Sequence, residues 1–162
     1  MTRPTDDQIR EQLQRGQGEH WNNFQRNYAG ELYPLDLRTL FANGLLAMPT
    51  NSLNGYRFDG RVIFDKLRVP NDFIFRTEFV DGASFNGTVF AGTVRFQDAT
   101  FNGVTEFVSA RFRGPLIVLG GHRHRHAGVS RRAGRQIGGI SKMPIQLWLN
   151  IYLQSEHSSR LF

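Results

Sequence analysis

The chain has 162 residues, 40% of them hydrophobic, which is enough for one compact body with a modest core. Its complete lack of cysteine excludes disulfide frameworks, thiolate zinc sites and cysteine nucleophiles. The formal charge of +6 is unevenly spread, with residues 1–106 summing to −2 and residues 107–162 to +8, so the two parts present different electrostatic faces.

The first thirty residues hold Asp6, Asp7, Glu11 and Glu19 and no apolar run. The expectation is therefore a chain without a secretory signal and a cytoplasmic location. Thr5-Asp6-Asp7-Gln8 matches a capping box, in which the Thr hydroxyl and the Gln side chain satisfy free amides at a helix start. Ile9, Leu13, Trp21 and Phe24 continue as an apolar stripe. The pattern predicts a helix from about residue 6 into the twenties, with Gly16 and Gly18 as the points where it would break. Pro34–Pro49 alternates Leu with polar residues around an Asn43-Gly44 turn signal and reads as an irregular lead into the middle of the chain.

From residue 58 the chain repeats itself. Large apolar residues stand at Phe58, Phe64, Val69, Phe75, Phe79, Phe85, Phe90, Phe96, Phe101, Phe107 and Phe112, and eleven of the fourteen Phe fall within 58–112. The steps between these sites alternate between six and five residues, with a single step of four from Phe75 to Phe79. Two residues before each of the last seven sites sits a small or β-branched residue: Thr77, Ala83, Thr88, Val94, Ala99, Thr105 and Ala110. Side chains two apart on extended backbone point the same way, so each pair faces one interior. Gly60, Gly87, Gly92, Gly103 and Gly114 stand two residues after a core site, as turns would require.

A helix cannot use this spacing, because steps of five and six scatter side chains around a 3.6-residue turn. A flat sheet fails too, since an odd step flips successive Phe to opposite faces. A chain that turns a corner every five or six residues keeps every Phe inside. A fixed period of this kind implies stacked units that bury their faces only on their neighbours.

Segments such as Ala83-Ser84-Phe85-Asn86-Gly87 and Ala99-Thr100-Phe101-Asn102-Gly103 resemble the pentapeptide-repeat family in its Phe-rich form. The resemblance covers about a third of the chain. It implies an all-β repeat fold, a short right-handed quadrilateral β-helix, here with an N-terminal helical cap. Tyr56, Leu67 and Phe73 depart from the family pattern, being bulky where it has small residues. The expected organisation is a helical lead-in and entry cap over 1–55, the repeat over 56–114, and a basic, atypical tail over 115–162, partly disordered.

Little in the sequence points to chemistry. Gly-rich phosphate loops, nucleophile elbows and helical His-Glu metal motifs are all missing, and the expectation is a non-enzymatic protein without a cofactor. His122, His124 and His126 would share one face of a strand and could chelate a transition metal. The intervening Arg123 and Arg125 and the lack of a nearby carboxylate favour a solvated segment instead. The basic stretch over 123–142, with Arg123, Arg125, Arg131, Arg132, Arg135 and Lys142, offers an electrostatic route to nucleic acid. It lacks the stacking aromatics that sequence-specific recognition of single strands would use.

Ile145–Leu153 is a nine-residue apolar segment interrupted by Gln146 and Asn150, far short of the roughly twenty a membrane span needs. It presents an apolar face for capping the repeat or for pairing in a homodimer. The functional expectation is a soluble scaffold or protein-interaction module. The family resemblance adds a second possibility, a DNA mimic acting on a type II topoisomerase, although mimicry of duplex DNA needs a long acidic rod and this repeat is short.

Overall fold

The computed structural model describes residues 2–28 and 30–119. Helix α1 spans Asp6–Gln14, and its capping box is formed, with the Gln8 amide donating to the Thr5 hydroxyl and the Thr5 amide to the Gln8 side chain. The apolar stripe does not continue as one helix. It breaks after Arg15, and α2 spans Gly18–Arg26. Gly16 at the break has φ +72°, a left-handed conformation costly for residues with a Cβ. Gly18 lies so close to the repeat that an added Cβ would sit 2.2 Å from the Gly55 carbonyl carbon.

Beyond α2 the chain is built almost wholly of short strands: β1 (Leu35–Asp36), β2 (Arg57–Phe58), β3 (Val62–Ile63), β4 (Arg68–Val69), β5 (Phe73–Ile74), β6 (Glu78–Phe79), β7 (Ala83–Ser84), β8 (Val89–Phe90), β9 (Val94–Gln97), β10 (Thr100–Phe101), β11 (Arg111–Phe112) and β12 (Leu116–Leu119). One short helical turn, α3 (Leu37–Leu40), comes directly after β1. The strands form four three-stranded parallel sheets, β1–β3–β7, β4–β8–β11, β5–β9–β12 and β2–β6–β10. The chain visits the sheets in the same rotation on each circuit. No helix among the described residues is long and apolar enough to cross a membrane.

Register places each core residue above its counterpart one circuit earlier. Phe58 pairs with Phe79 and Phe79 with Phe101, while Val69 pairs with Phe90 and Phe90 with Phe112. The alternation of six and five thereby becomes a property of corners. Every five-residue step has a positive φ at the second residue after the core site: Gly55 at 73°, Lys66 at 59°, Gly87 at 70°, Asp98 at 52° and Ser109 at 57°. Glycine adopts this conformation freely, whereas Lys66, Asp98 and Ser109 carry a conformational cost there. Asp98 also explains the irregular step. Ile74 pairs with Arg95, 21 residues on, whereas Glu78 pairs with Thr100, 22 on, so the loop before Phe79 is the same corner without its left-handed residue.

Glycines at two of the six-residue corners have a different cause. A Cβ on Gly92 would lie 2.6 Å from the Asp72 backbone nitrogen, and one on Gly114 would lie 2.5 Å from the Gly92 carbonyl oxygen. Close approach of the neighbouring circuit excludes a side chain there.

Inside, the Phe rings form stacks. Phe64, Phe85 and Phe107 lie with centroids 4.5 and 4.7 Å apart, and Phe58, Phe79 and Phe101 at 5.6 and 5.0 Å. Phe75 stacks on Phe96 at 5.0 Å and Phe90 on Phe112 at 4.9 Å. Neighbouring stacks meet edge to face, as between Phe75 and Phe85 at 87° and Phe96 and Phe107 at 86°. Both geometries satisfy the ring quadrupole. The positions two residues earlier are also buried, and their hydroxyls are satisfied: Thr77 donates to the Leu53 carbonyl at 2.7 Å and Thr88 to that of Phe64 at 2.8 Å.

The segment before the repeat is not irregular. Leu37 directly succeeds Asp36, the partner of Ile63, and so falls beneath Phe64. Leu46 and Leu53 donate backbone amides to Arg68 and Ile74 at 2.9 and 3.0 Å. With Phe58 these residues make an earlier circuit whose steps of nine, seven and five obscure the period. Downstream, β12 continues the parallel register beyond residue 114, Leu116 pairing with Val94 and Leu119 with Gln97.

Helix α2 closes the lower edge of the sheet β2–β6–β10. Trp21 Nε1 and Gln25 Nε2 both donate to the Arg57 carbonyl, at 3.0 and 2.8 Å. The Asn22 side chain donates to the Gly55 carbonyl and accepts from the Arg57 amide. These side chains take the place of a missing strand, so the edge is not left open to pairing. Bulky Tyr56 sits where later circuits carry Thr77 and Ala99, with its ring against Trp21 and its hydroxyl donating to the Leu13 carbonyl at 2.7 Å.

Phe96→Ala removes one ring of a stack and the edge contacts around it, and should lower unfolding free energy by about 3–5 kcal/mol in a denaturant titration. Burial raises the phenol pKa of both Tyr33 and Tyr56. In the unfolded chain a tyrosine ionises near pH 10, while in the fold both phenols ionise at higher pH, so above about pH 10 the unfolded state binds fewer protons. Stability should hold up to about pH 10 and fall above it. A flatter urea-midpoint profile between about pH 10 and 11 in Tyr33→Phe/Tyr56→Phe would confirm the source.

Candidate interaction surface

Phe58, Phe64, Val69, Phe75, Phe79, Phe85, Phe90, Phe96, Phe101 and Phe107 are buried, and Phe112 is half-buried against the same core. These ladder residues are interior scaffold, so any contact with a partner falls to the side chains that alternate with them. Among the described residues no group of three His, Asp or Glu is arranged to hold a metal. His122, His124 and His126, the basic stretch over 123–142 and the segment Ile145–Leu153 lie outside the described residues.

The outward side chains differ from sheet to sheet. On β2–β6–β10, Arg57 bridges Asp59 at 2.7 Å and Glu78 at 2.9 Å, and Asp81 is exposed nearby. At the edge of β1–β3–β7, Arg61 pairs with Glu106 at 2.8 Å and Arg38 with Asp36 at 2.6 Å. The hydrogen bond from the Arg38 guanidinium holds the Asp36 carboxyl below the usual carboxylate range. The adjoining corner carries a polar ladder. Asp65 accepts the Asn86 amide at 2.9 Å and the Ser84 hydroxyl, and the Asn86 side-chain oxygen accepts the Val108 amide at 2.8 Å.

The face of β4–β8–β11 is different in kind. Arg68 and Arg111 stand outward in register on either side of Val89. Lys66 lies at the preceding corner and Arg113 two positions after Arg111, and all four cations are exposed. The segments 66–71, 87–92 and 109–114 that build this face contain no Asp or Glu. Arg95 stands exposed on β9 of the adjoining sheet. Arg38, Arg57, Arg61 and Arg76 elsewhere are each ion-paired. Lys66, Arg68, Arg95, Arg111 and Arg113 make no ion pair among the described residues.

This segregation escaped a reading by overall charge, because the repeat's net charge is small. The signal was present in position: Arg68 and Arg111 each precede a core residue at the same corner of the period, Val69 and Phe112. Comparison with protein-family models, curated proteins and solved structures finds no match for this chain.

Since Arg111 and Arg113 are exposed and make no ion pair among the described residues, Arg111→Ala and Arg113→Ala should each change stability by no more than about 0.5 kcal/mol. Asn86→Ala leaves the Val108 amide without its acceptor and should cost about 1 kcal/mol. Thermal melts of the three variants check the contrast.

Proposed function

We propose that the chain is a non-catalytic pentapeptide-repeat protein, folded as a short right-handed quadrilateral β-helix, that serves as a scaffold or protein-interaction module. The rotation through four parallel sheets, the five- and six-residue corners and the inward Phe support the architectural part. The observation that carries the functional part is the contrast between faces: a core wholly occupied by packing supports flat outer surfaces of different charge. Flat, in-register surfaces suit recognition of another macromolecule. The topoisomerase-directed reading is disfavoured, because a DNA mimic needs acidic surface along its length and one face of this repeat is cationic without an intervening acid.

The test is a set of four full-length variants, each reversing the charged residues on one face. Cross-linking capture from the native host should show at least one variant losing proteins that the wild type retains, at unchanged melting temperature. Capture of the same proteins by all four variants and the wild type would overturn the reading, as would small-substrate turnover abolished by a surface substitution.

A further inference from the structure

The geometry points to the outer face of β4–β8–β11 as a docking site for an extended acidic segment of a partner protein, with apolar side chains between its carboxylates. The inference rests on the protein-interaction reading above and names the face and the chemistry of what it holds. Arg111 lies on β11 and Arg113 one residue past its end, where the Arg113 amide still donates to the Phe90 carbonyl at 2.9 Å; at extended spacing the two alternate residues are about 6.7 Å apart. Carboxylates on alternate residues of an extended peptide repeat at the same interval. Arg68 lies two rungs away in the same column as Arg111, about 9.6 Å off, and Lys66 adds a fourth cation at the corner.

Between these cations the face is apolar. Val89 and Ala91 are half-buried and Pro70 is exposed, and below Arg68 the strip is continued by Leu45, bridged to it and 37% exposed. Bidentate arginine–carboxylate pairs over such a strip would give both orientation and affinity. A phosphodiester backbone has nothing to bury on Val89, Ala91 and Pro70, and the face presents no aromatic ring for a base to stack on. A second copy of the chain fits less well, because on the acidic sheet β2–β6–β10 Arg57 already engages Asp59 and Glu78.

Full-length protein would be titrated against a fluorescein-labelled decapeptide with Glu at alternate positions and Val or Pro between them. A matched peptide with Lys for Glu and a short labelled DNA duplex complete the set. The Glu peptide should bind, the Lys peptide should not, and Arg111→Glu/Arg113→Glu should weaken binding about tenfold or more. Arg68→Glu, a second route should the double variant fail to fold, should weaken it in the same direction. Asp59→Asn/Asp81→Asn on the acidic sheet should leave affinity unchanged. Equal binding of the two peptides, or Glu-peptide binding that both cationic-face variants retain, would overturn the inference. So would tighter binding of the duplex, lost in the double variant, or concentration-dependent self-association lost in it. The protein-interaction reading survives any of these results if reversing another face removes partner capture.

Discussion

Parallel pairing in strict register between successive circuits is the constraint on which the rest of the molecule depends. It brings Phe79 over Phe58 and Phe85 over Phe64, and a shift of one residue would turn these rings outward. Backbone hydrogen bonding and ring stacking therefore select the same alignment. Neither suffices alone. A single circuit leaves both faces of each ring bare, so stability accrues only as neighbours are added.

The corners reconcile that register with a chain of unequal steps. Five-residue corners carry a left-handed residue two positions after the core site. Six-residue corners do without one at that position, and at Gly92 and Gly114 they bring the backbone against the circuit below. Glycine serves both, for unrelated reasons: Gly87 adopts the positive φ, and Gly92 makes room for Asp72. Lys66, Asp98 and Ser109 hold the left-handed position without being glycine, so packing of the circuits on either side outweighs the local preference.

Once the interior is committed to packing, the surface is free to vary. The repeat uses that freedom unevenly. Arginines beside acids form cross-rung pairs such as Arg57–Glu78 and Arg61–Glu106, whereas those on β4 and β11 stand beside an apolar strip and make no ion pair among the described residues. At the other boundary, α2 supplies Trp21, Asn22 and Gln25 to hydrogen-bond groups that a further strand would otherwise have paired. The helical cap thus solves an edge problem with side-chain donors and acceptors rather than with another circuit.

The period of the Phe ladder, its paired small residues and the capping box at Thr5 were legible in the sequence, because each rests on local spacing along the chain. The earlier circuit through Leu37, Leu46 and Leu53 was not, since its steps of nine, seven and five match no period and only pairing with Arg68 and Ile74 reveals it. The break after Arg15 was readable as a glycine pair, but not the separate reason for glycine at position 18, its close approach to Gly55, far away in sequence. The cationic face lay further still from view: Arg68 and Arg111 are separated by two full circuits, and they become neighbours only when register stacks their strands. Spacing along the chain determined which residues face inward; stacking of one circuit on another decided which outward residues share a face.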